Sequence, residues 1–307
     1  MADTPRSLPV IQPGTAMSGP PVFERVAIVG LGLIGGSLAL AVRETWPGGL
    51  VIGVDDKPVL ERAMLRHAID VAADDPVVMA EADLVVLAAP VRSNLALLAD
   101  LEEHVRGSAI VTDVSSTKRD VVEAARALPT RLTFIGGHPL GGAPRSGIDH
   151  ARPDLFRDRP WLFTPSAERP GEALERLRRF VAGFGAVPHV LTPAEHDRLL
   201  AFLSHVPQLT ASVLMHVVGG AIGEDGLALS GRGLADTTRL ASSPADIWRD
   251  ICATNVDEVG LALEALIAEL QMIRGNLADG RAIDRVFDSA SRWRAALAAR
   301  RRAPRGE

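Results

Sequence analysis

Cysteine is nearly absent from this 307-residue chain, and tyrosine is wholly absent. The single cysteine, Cys252, can close no disulfide within the chain, and its solitude excludes a CxxC redox pair or a multi-cysteine zinc site. Lysine is almost as scarce. Among 33 basic residues only Lys57 and Lys118 are lysine and the rest are arginine, a compositional bias with little bearing on function. There is no excess of positive charge either. The formal net charge is −5 and the isoelectric point about 5.9, which argues against a general nucleic-acid binder. Residues 1–22 lack an apolar run of signal-peptide length. They hold five prolines and two charged side chains, Asp3 and Arg6, and read as a disordered tail on a cytoplasmic protein. What is present is ordinary for a soluble globular protein: 47% hydrophobic and 23% charged residues. At ~150 residues per domain, the length suggests two domains.

From Arg25 the pattern alternates. Arg25–Val29, Leu50–Val54, Leu84–Ala88 and Ile110–Val114 are short apolar runs, and Ser37–Trp46, Asn94–Val105 and Thr117–Leu128 carry helical spacing between them. Trp161–Thr164 and His189–Leu191 read as further strands around a helix over Glu172–Phe184. Such alternation predicts an α/β domain with a mostly parallel, Rossmann-type sheet over residues 23–191. After Thr192-Pro193, a helix start with Thr as N-cap, only helical patterns remain: Ala194–Val218, Ala245–Leu270 and Asp284–Arg300. Residues 192–300 are therefore expected to form an all-α domain, with 301–307 as a tail; the substrate and dimerisation roles expected of it rest on the resemblance described below. From Leu199 to Gly223 there is no Asp, Glu, Lys or Arg. Ser204, His205, Gln208 and Thr210 within that run disfavour a membrane span, so the helix is expected to be buried in a helical core or a dimer interface.

Gly30, Gly32 and Gly35 make G-x-G-x-x-G between a strand and a helix, and Asp55 follows 20 residues after Gly35 at the end of the second strand. Each part has a task in holding a dinucleotide. Gly30 permits the tight turn, Gly32 admits the pyrophosphate, Gly35 lets helix and strand pack closely, and Asp55 accepts from the adenosine ribose hydroxyls. Leu33, Ile34, Pro90 and Ser115 are expected to line the same ligand. The carboxylates of Asp55 and Asp56 disfavour a 2′-phosphate, and Lys57 is a partial counterweight, so NAD is expected over NADP. A nicotinamide enzyme also needs a base beside the reacting carbon. His138, flanked by glycines and Pro139 at a strand end, is the candidate, with Asp113–Lys118 (DVSSTK) at a neighbouring strand end.

Five segments carry a family resemblance: GLGLIGGSL (30–38), DVSSTK (113–118), GGHPLGGAPRSG (136–147), EHDRLLAFLSHVPQ (195–208) and DTTRLASSPADIWRD (236–250). In this order they resemble the prephenate/arogenate dehydrogenase family of tyrosine biosynthesis, over about residues 23–275. The resemblance implies NAD-dependent oxidative decarboxylation of a cyclohexadienyl substrate by a homodimer. It implies that His138 accepts the C4 hydroxyl proton and that Ser116, with Ser115 beside it as an open alternative, hydrogen-bonds His138 or that hydroxyl. It implies a substrate clamp of His205, Arg239 on the carboxylate, and Trp248 near the ring. Pro207 is expected to open the helix at His205. His196 is expected to organise a helix start. Lys118 completes S-x-K; its rarity hints that a particular geometry is required there, beside the reading of a solvated first-turn residue. The chain departs from the family pattern at Ala143 and Pro144, where Thr or Ser and then Glu are usual. It also carries Gln208 where many prephenate-using members have a second histidine. Gln208 is expected to face the substrate side chain and to tolerate arogenate beside prephenate. Two other readings compete. A β-hydroxyacid dehydrogenase of the 6-phosphogluconate type would need a lysine in the helical part, and residues 192–307 contain none. A non-catalytic NAD-sensing regulator would need neither His138 nor Arg239.

Overall fold

The computed structural model describes residues 19–142, 145–166 and 171–302, with side chains to Ala299. The greater part of the expected tail, and the departures at Ala143 and Pro144, lie outside these residues.

Eight strands form one sheet: β1 (Arg25–Val29), β2 (Leu50–Val54), β3 (Val71–Ala73), β4 (Leu84–Leu87), β5 (Ala109–Asp113), β6 (Leu132–Pro139), β7 (Pro160–Pro165) and β8 (Val187–Val190). Their order is β3-β2-β1-β4-β5-β6-β7-β8, and every neighbouring pair is parallel except β6 with β7. β4 and β5 are apolar runs because both faces are covered; every residue of both is buried. On one face α1 (Leu33–Thr45), α2 (Lys57–Leu65) and α5 (Gly171–Gly183) pack Leu38, Leu60, Leu177 and Phe180 against Val26, Ile28 and Trp161. On the other, α3 (Val91–His104) and α4 (Arg119–Ala124) pack Leu98, Leu101 and Val121 against Val85 and Val111. The strand orientation brings the carboxyl ends of β1, β2, β4 and β5 to one edge, where an open α/β sheet binds its ligand.

The sheet ends at Val190, but the chain stays with it. α6 (Pro193–Leu200) packs on β7 and α4, and α9 (Ala245–Ala253) packs on α3, so the first compact unit runs to Asn255. A π turn over Ala201–His205 joins α6 to α7 (Val206–Leu227); α8 (Arg232–Thr237) and a 3-10 turn, Arg239–Ser242, lead into α9. The second unit, residues 256–307, holds α10 (Val256–Gly275) and α11 (Arg281–Arg302), with Arg285 paired to Glu269 at 3.2 Å. The single helix expected over Ala245–Leu270 is thus two. Thr254 ends α9 by turning its hydroxyl back to the Asp250 carbonyl at 2.9 Å.

The expected burial of the uncharged helix in a helical core is not found. Ala211 and Gln208 are buried on α7, but Val213 and Val217 are 59% and 58% exposed. The helix is apolar almost all round while only a narrow stripe of it meets the rest of its own unit.

Candidate active site

At the carboxyl end of β1 the backbone turns through Gly30 with φ +92°, in the left-handed region where a β-carbon is costly. A β-carbon on Gly30 would also lie 2.7 Å from the Ala88 carbonyl carbon and the Ala89 nitrogen, and one on Gly35 would lie 1.8 Å from the Gly30 oxygen. The loop, the end of β4 and α1 therefore touch only because these residues are glycine. Gly32 differs: nothing lies within 4 Å of a β-carbon built there, so its backbone faces open space. α1 starts at Leu33 with no side-chain cap and no acid in its first turn, leaving its N–H groups unclaimed. Leu33 and Ile34 are half-buried beside this space, and Pro90 is exposed at the start of α3. Asp55 fastens the loop to β2, accepting from the Leu31 N–H at 2.6 Å and the Asp56 N–H at 2.7 Å. An uncapped helix N-terminus behind an open glycine cradle, with a carboxylate at the end of β2, fits a dinucleotide.

Three strands along the sheet from β1, His138 lies near the end of β6. Its Nδ1 is 2.9 Å from His196 Nε2, and His196 Nδ1 is 2.8 Å from Asp197 Oδ1. The Asp197 carboxylate also accepts from the Lys118 N–H at 2.7 Å and the Arg119 N–H at 2.9 Å. Burial pushes the Asp197 carboxyl up, but the hydrogen bonds from His196 and the two backbone N–H groups outweigh it and hold it below its ordinary value. An ionised Asp197 fixes the proton of His196 on Nδ1. Its Nε2 must then accept from His138 Nδ1–H, and His138 Nε2 keeps a lone pair. Burial, then His196, Lys118 and His205, keep His138 well below the ordinary histidine value, so this imidazole is neutral at pH 7.

His196 was expected only to organise the start of α6. That task belongs to Thr192 and Glu195, which form a complete capping box; His196 is fully buried and sits between His138 and Asp197. Lys118 was expected to be solvated and is fully buried instead, ion-paired to Asp113. The turn from β5 into α4 folds Lys118 back under the sheet edge, toward that carboxylate. Ser115 is buried and accepts from Asn94 Nδ2 at 3.0 Å, a tie between the ends of β4 and β5 that sequence reading missed. Ser116 is half-buried and makes no hydrogen bond to His138 among the described residues, which leaves the second of its two expected partners, the substrate hydroxyl.

His205 is buried on the π turn that precedes Pro207, where the missing proline N–H interrupts the helical ladder. Asn255 orients it. Asn255 Oδ1 accepts from Arg119 at 3.0 Å and Nδ2 donates to the Asp197 carbonyl at 2.9 Å, so the Nδ2 contact with His205 Nδ1 at 3.3 Å is also a donation. The His205 proton is therefore on Nε2, which is buried and has no partner among the described residues. Burial pushes the His205 pKa down to about 4, against the attraction of Asp197, and the ring is neutral. Trp248 is half-buried and packs edge-on to His205 at 6.1 Å. Arg239 is exposed on its 3-10 turn. Gln208 does not present its amide to open space as expected. Nε2 donates to the Leu240 carbonyl at 2.7 Å and to Ser212 at 3.3 Å, and Oε1 accepts from Ser243 at 3.2 Å. Its polar atoms are taken up by the turn that carries Arg239.

Residues 38–192 match the family model described as the prephenate dehydrogenase nucleotide-binding domain, and residues 192–287 the one described as the prephenate dehydrogenase dimerization domain. The chain is 33% identical over 287 residues to a prephenate dehydrogenase of Bacillus subtilis, covering 91% of this chain and 77% of that one. It is 31% identical over 285 residues to a cyclohexadienyl dehydrogenase of Zymomonas mobilis, covering 90% and 97%. Among solved structures, an Aquifex aeolicus prephenate dehydrogenase in complex with hydroxyphenyl propionate and NAD+ superposes with a TM-score of 0.83 at 26% identity, covering 89% of this chain and 98% of that one. A Synechocystis arogenate dehydrogenase gives 0.76 at 29% identity, covering 89% and 99%. A Salmonella typhimurium 3-hydroxyisobutyrate dehydrogenase, at 18% identity and a TM-score of 0.55, shares the fold alone. The chain belongs to the prephenate dehydrogenase family.

Proposed function

We propose that this protein catalyses the NAD-dependent oxidative decarboxylation of prephenate, and less efficiently of arogenate, in tyrosine biosynthesis. The observation that carries this is the Asp197–His196–His138 chain, which ends in a free basic nitrogen within the unit that also holds the glycine cradle. Gly30, Gly32, Gly35, Leu33, Ile34, Pro90 and Ser115 line the dinucleotide, and Asp55 takes its ribose hydroxyls and selects against a 2′-phosphate. Bound there, NAD+ would supply the hydride acceptor for the substrate C4.

His138 Nε2 removes the C4 hydroxyl proton as that hydride departs. The positive charge created on His138 is shared through Nδ1 with His196 and balanced by Asp197. As the C1–carboxylate bond breaks, its electron pair enters the ring, the C4 oxygen becomes a phenolate, and His138 returns the proton. Products are 4-hydroxyphenylpyruvate or tyrosine, CO2 and NADH, so the base ends as it began. Ser116 hydrogen-bonds the reacting oxygen from beside His138. Arg239 holds a substrate carboxylate through its planar fork, and Trp248 flanks the ring. His205 offers a neutral N–H, which suits a keto or carboxylate oxygen and offers nothing to an ammonium; this favours prephenate. Gln208 serves the substrate indirectly, by holding the turn that carries Arg239. The purified protein should reduce NAD+ in preference to NADP+ with either substrate, at higher kcat/KM for prephenate. No reduction with either substrate would refute the assignment.

The protein is a homodimer in this reading. Exposed Val213 and Val217 on α7, and Leu261, Phe287 and Trp293 on α10 and α11, are more large apolar surface than a soluble monomer usually leaves open. Light scattering at micromolar concentration should read twice the 32.5 kDa chain mass, and a monomer would contradict it.

A further inference from the structure

Lys118 is a fully buried side chain that takes no part in the proton transfer described above. It meets both acidic groups of the site. Its ammonium is paired with Asp113, and its backbone N–H donates to Asp197 Oδ1 at 2.7 Å. Asp113 in turn accepts from the Gly137 N–H at 2.9 Å and the Ser115 N–H at 3.0 Å, so this one carboxylate pins the residue before His138 and the residue before Ser116. A β-carbon on Gly136 would lie 3.3 Å from Lys118 Cδ and 2.3 Å from Thr164 Oγ1, which is why a glycine lets the end of β6 lie over the lysine stem.

We propose that Lys118 is a positioning residue for this reaction: clamped to Asp113, it fixes the strand end that carries His138 and supplies the standing positive charge near that imidazole. This rests on His138 being the base. The groups facing His138 are His196 from α6, His205 from the π turn and Lys118 from the loop before α4, with Asp113 and Asp197 behind them as anions. Burial lowers the Lys118 pKa, but Asp113 in contact with it and Asp197 nearby oppose that and favour its ammonium, so Lys118 acts with His196 and His205 in disfavouring a proton on His138. The residue type fits the place. An arginine would bring five donors into a dry site that offers one carboxylate, whereas an ammonium brings three on a compact head. A chain that uses arginine almost everywhere else keeps lysine here.

The test is the pH profile of kcat/KM with prephenate for Lys118→Met, for Lys118→Met combined with Asp113→Asn, and for Lys118→Arg. The paired variant removes the ion pair as a unit and avoids leaving Asp113 buried and unbalanced. Both variants without the cation should lose about tenfold or more in kcat through misplacement of His138. Their acid limb should move to higher pH, because a proton on His138 is less strongly repelled. Lys118→Arg keeps the charge, so its acid limb should stay in place whatever its kcat. If either folded variant lacking the cation titrates as wild type does, Lys118 is only structural and the proposal fails. Failure of the underlying reading looks different: full kcat in a His138 variant would remove the base itself.

Discussion

Replacing His138 with asparagine should lower kcat by about 10²–10⁴-fold while leaving the affinity for NAD+ nearly unchanged. Asparagine can still donate an amide hydrogen to His196 Nε2, so the buried His196–Asp197 pair keeps its partner. It carries no basic nitrogen, so the C4 hydroxyl proton has nowhere to go. The glycine cradle and Asp55 lie at the ends of β1 and β2 and are untouched. The pH profile gives a second reading of the same residue. His138 is active when neutral, and burial with its cationic and histidine neighbours holds its proton affinity well below the ordinary value. The wild-type kcat/KM should therefore stay level as pH falls through 6.5 and decline only at lower pH. Wild-type kcat in the variant, or a wild-type acid limb at 6.5 or above, would exclude His138 as the base held in this environment.

Arg239→Ala should act on the other kinetic constant. Losing one partner of a charge-assisted pair costs about 2–5 kcal/mol of binding, or roughly 30-fold to a few thousand-fold in KM. The guanidinium is exposed in the chain by itself, so the lower end of that range is expected. Gln208 bonds the backbone of the turn at Leu240, so the turn should keep its shape and kcat should fall much less than KM rises. An unchanged KM would place the carboxylate clamp elsewhere.

The parts of this site legible in the sequence were those whose chemistry is local. G-x-G-x-x-G demands its turn wherever it occurs, and a histidine between glycines and a proline at a strand end has little else to do. The parts that stayed hidden depend on contacts across long stretches of chain. His196 reaches His138 across 58 residues, and the capping box beside it gave its segment a sufficient local explanation. Lys118 read as solvated because nothing local reveals that the turn after β5 folds back on Asp113; its rarity in an arginine-rich chain was the one available signal. β3 spans only Val71–Ala73, too short for an alternating pattern to show. Gln208 was misread because the 3-10 turn that absorbs its amide was not foreseen. The uncharged helix announced burial, yet within its own unit Val213 and Val217 stay exposed.

The π turn over Ala201–His205 has a consequence for which changes of sequence this protein can survive. Such a turn holds one residue more than the α-helix would need, and it sets how far α7 is rotated relative to α6. Side chains at Phe202 and Leu203, 51% and 63% exposed, leave room for many substitutions within one chain. The number of residues is another matter. Removing any one between Ala201 and Ser204 would let the helix close its regular ladder and swing His205 and α7 by about 100°. His205 would leave Asn255 and Trp248, and Gln208 would leave the Leu240 carbonyl, although no residue touching a ligand had been altered. In this stretch the number of residues matters more than their identity, and a deletion that looks silent on a surface would act as an active-site lesion.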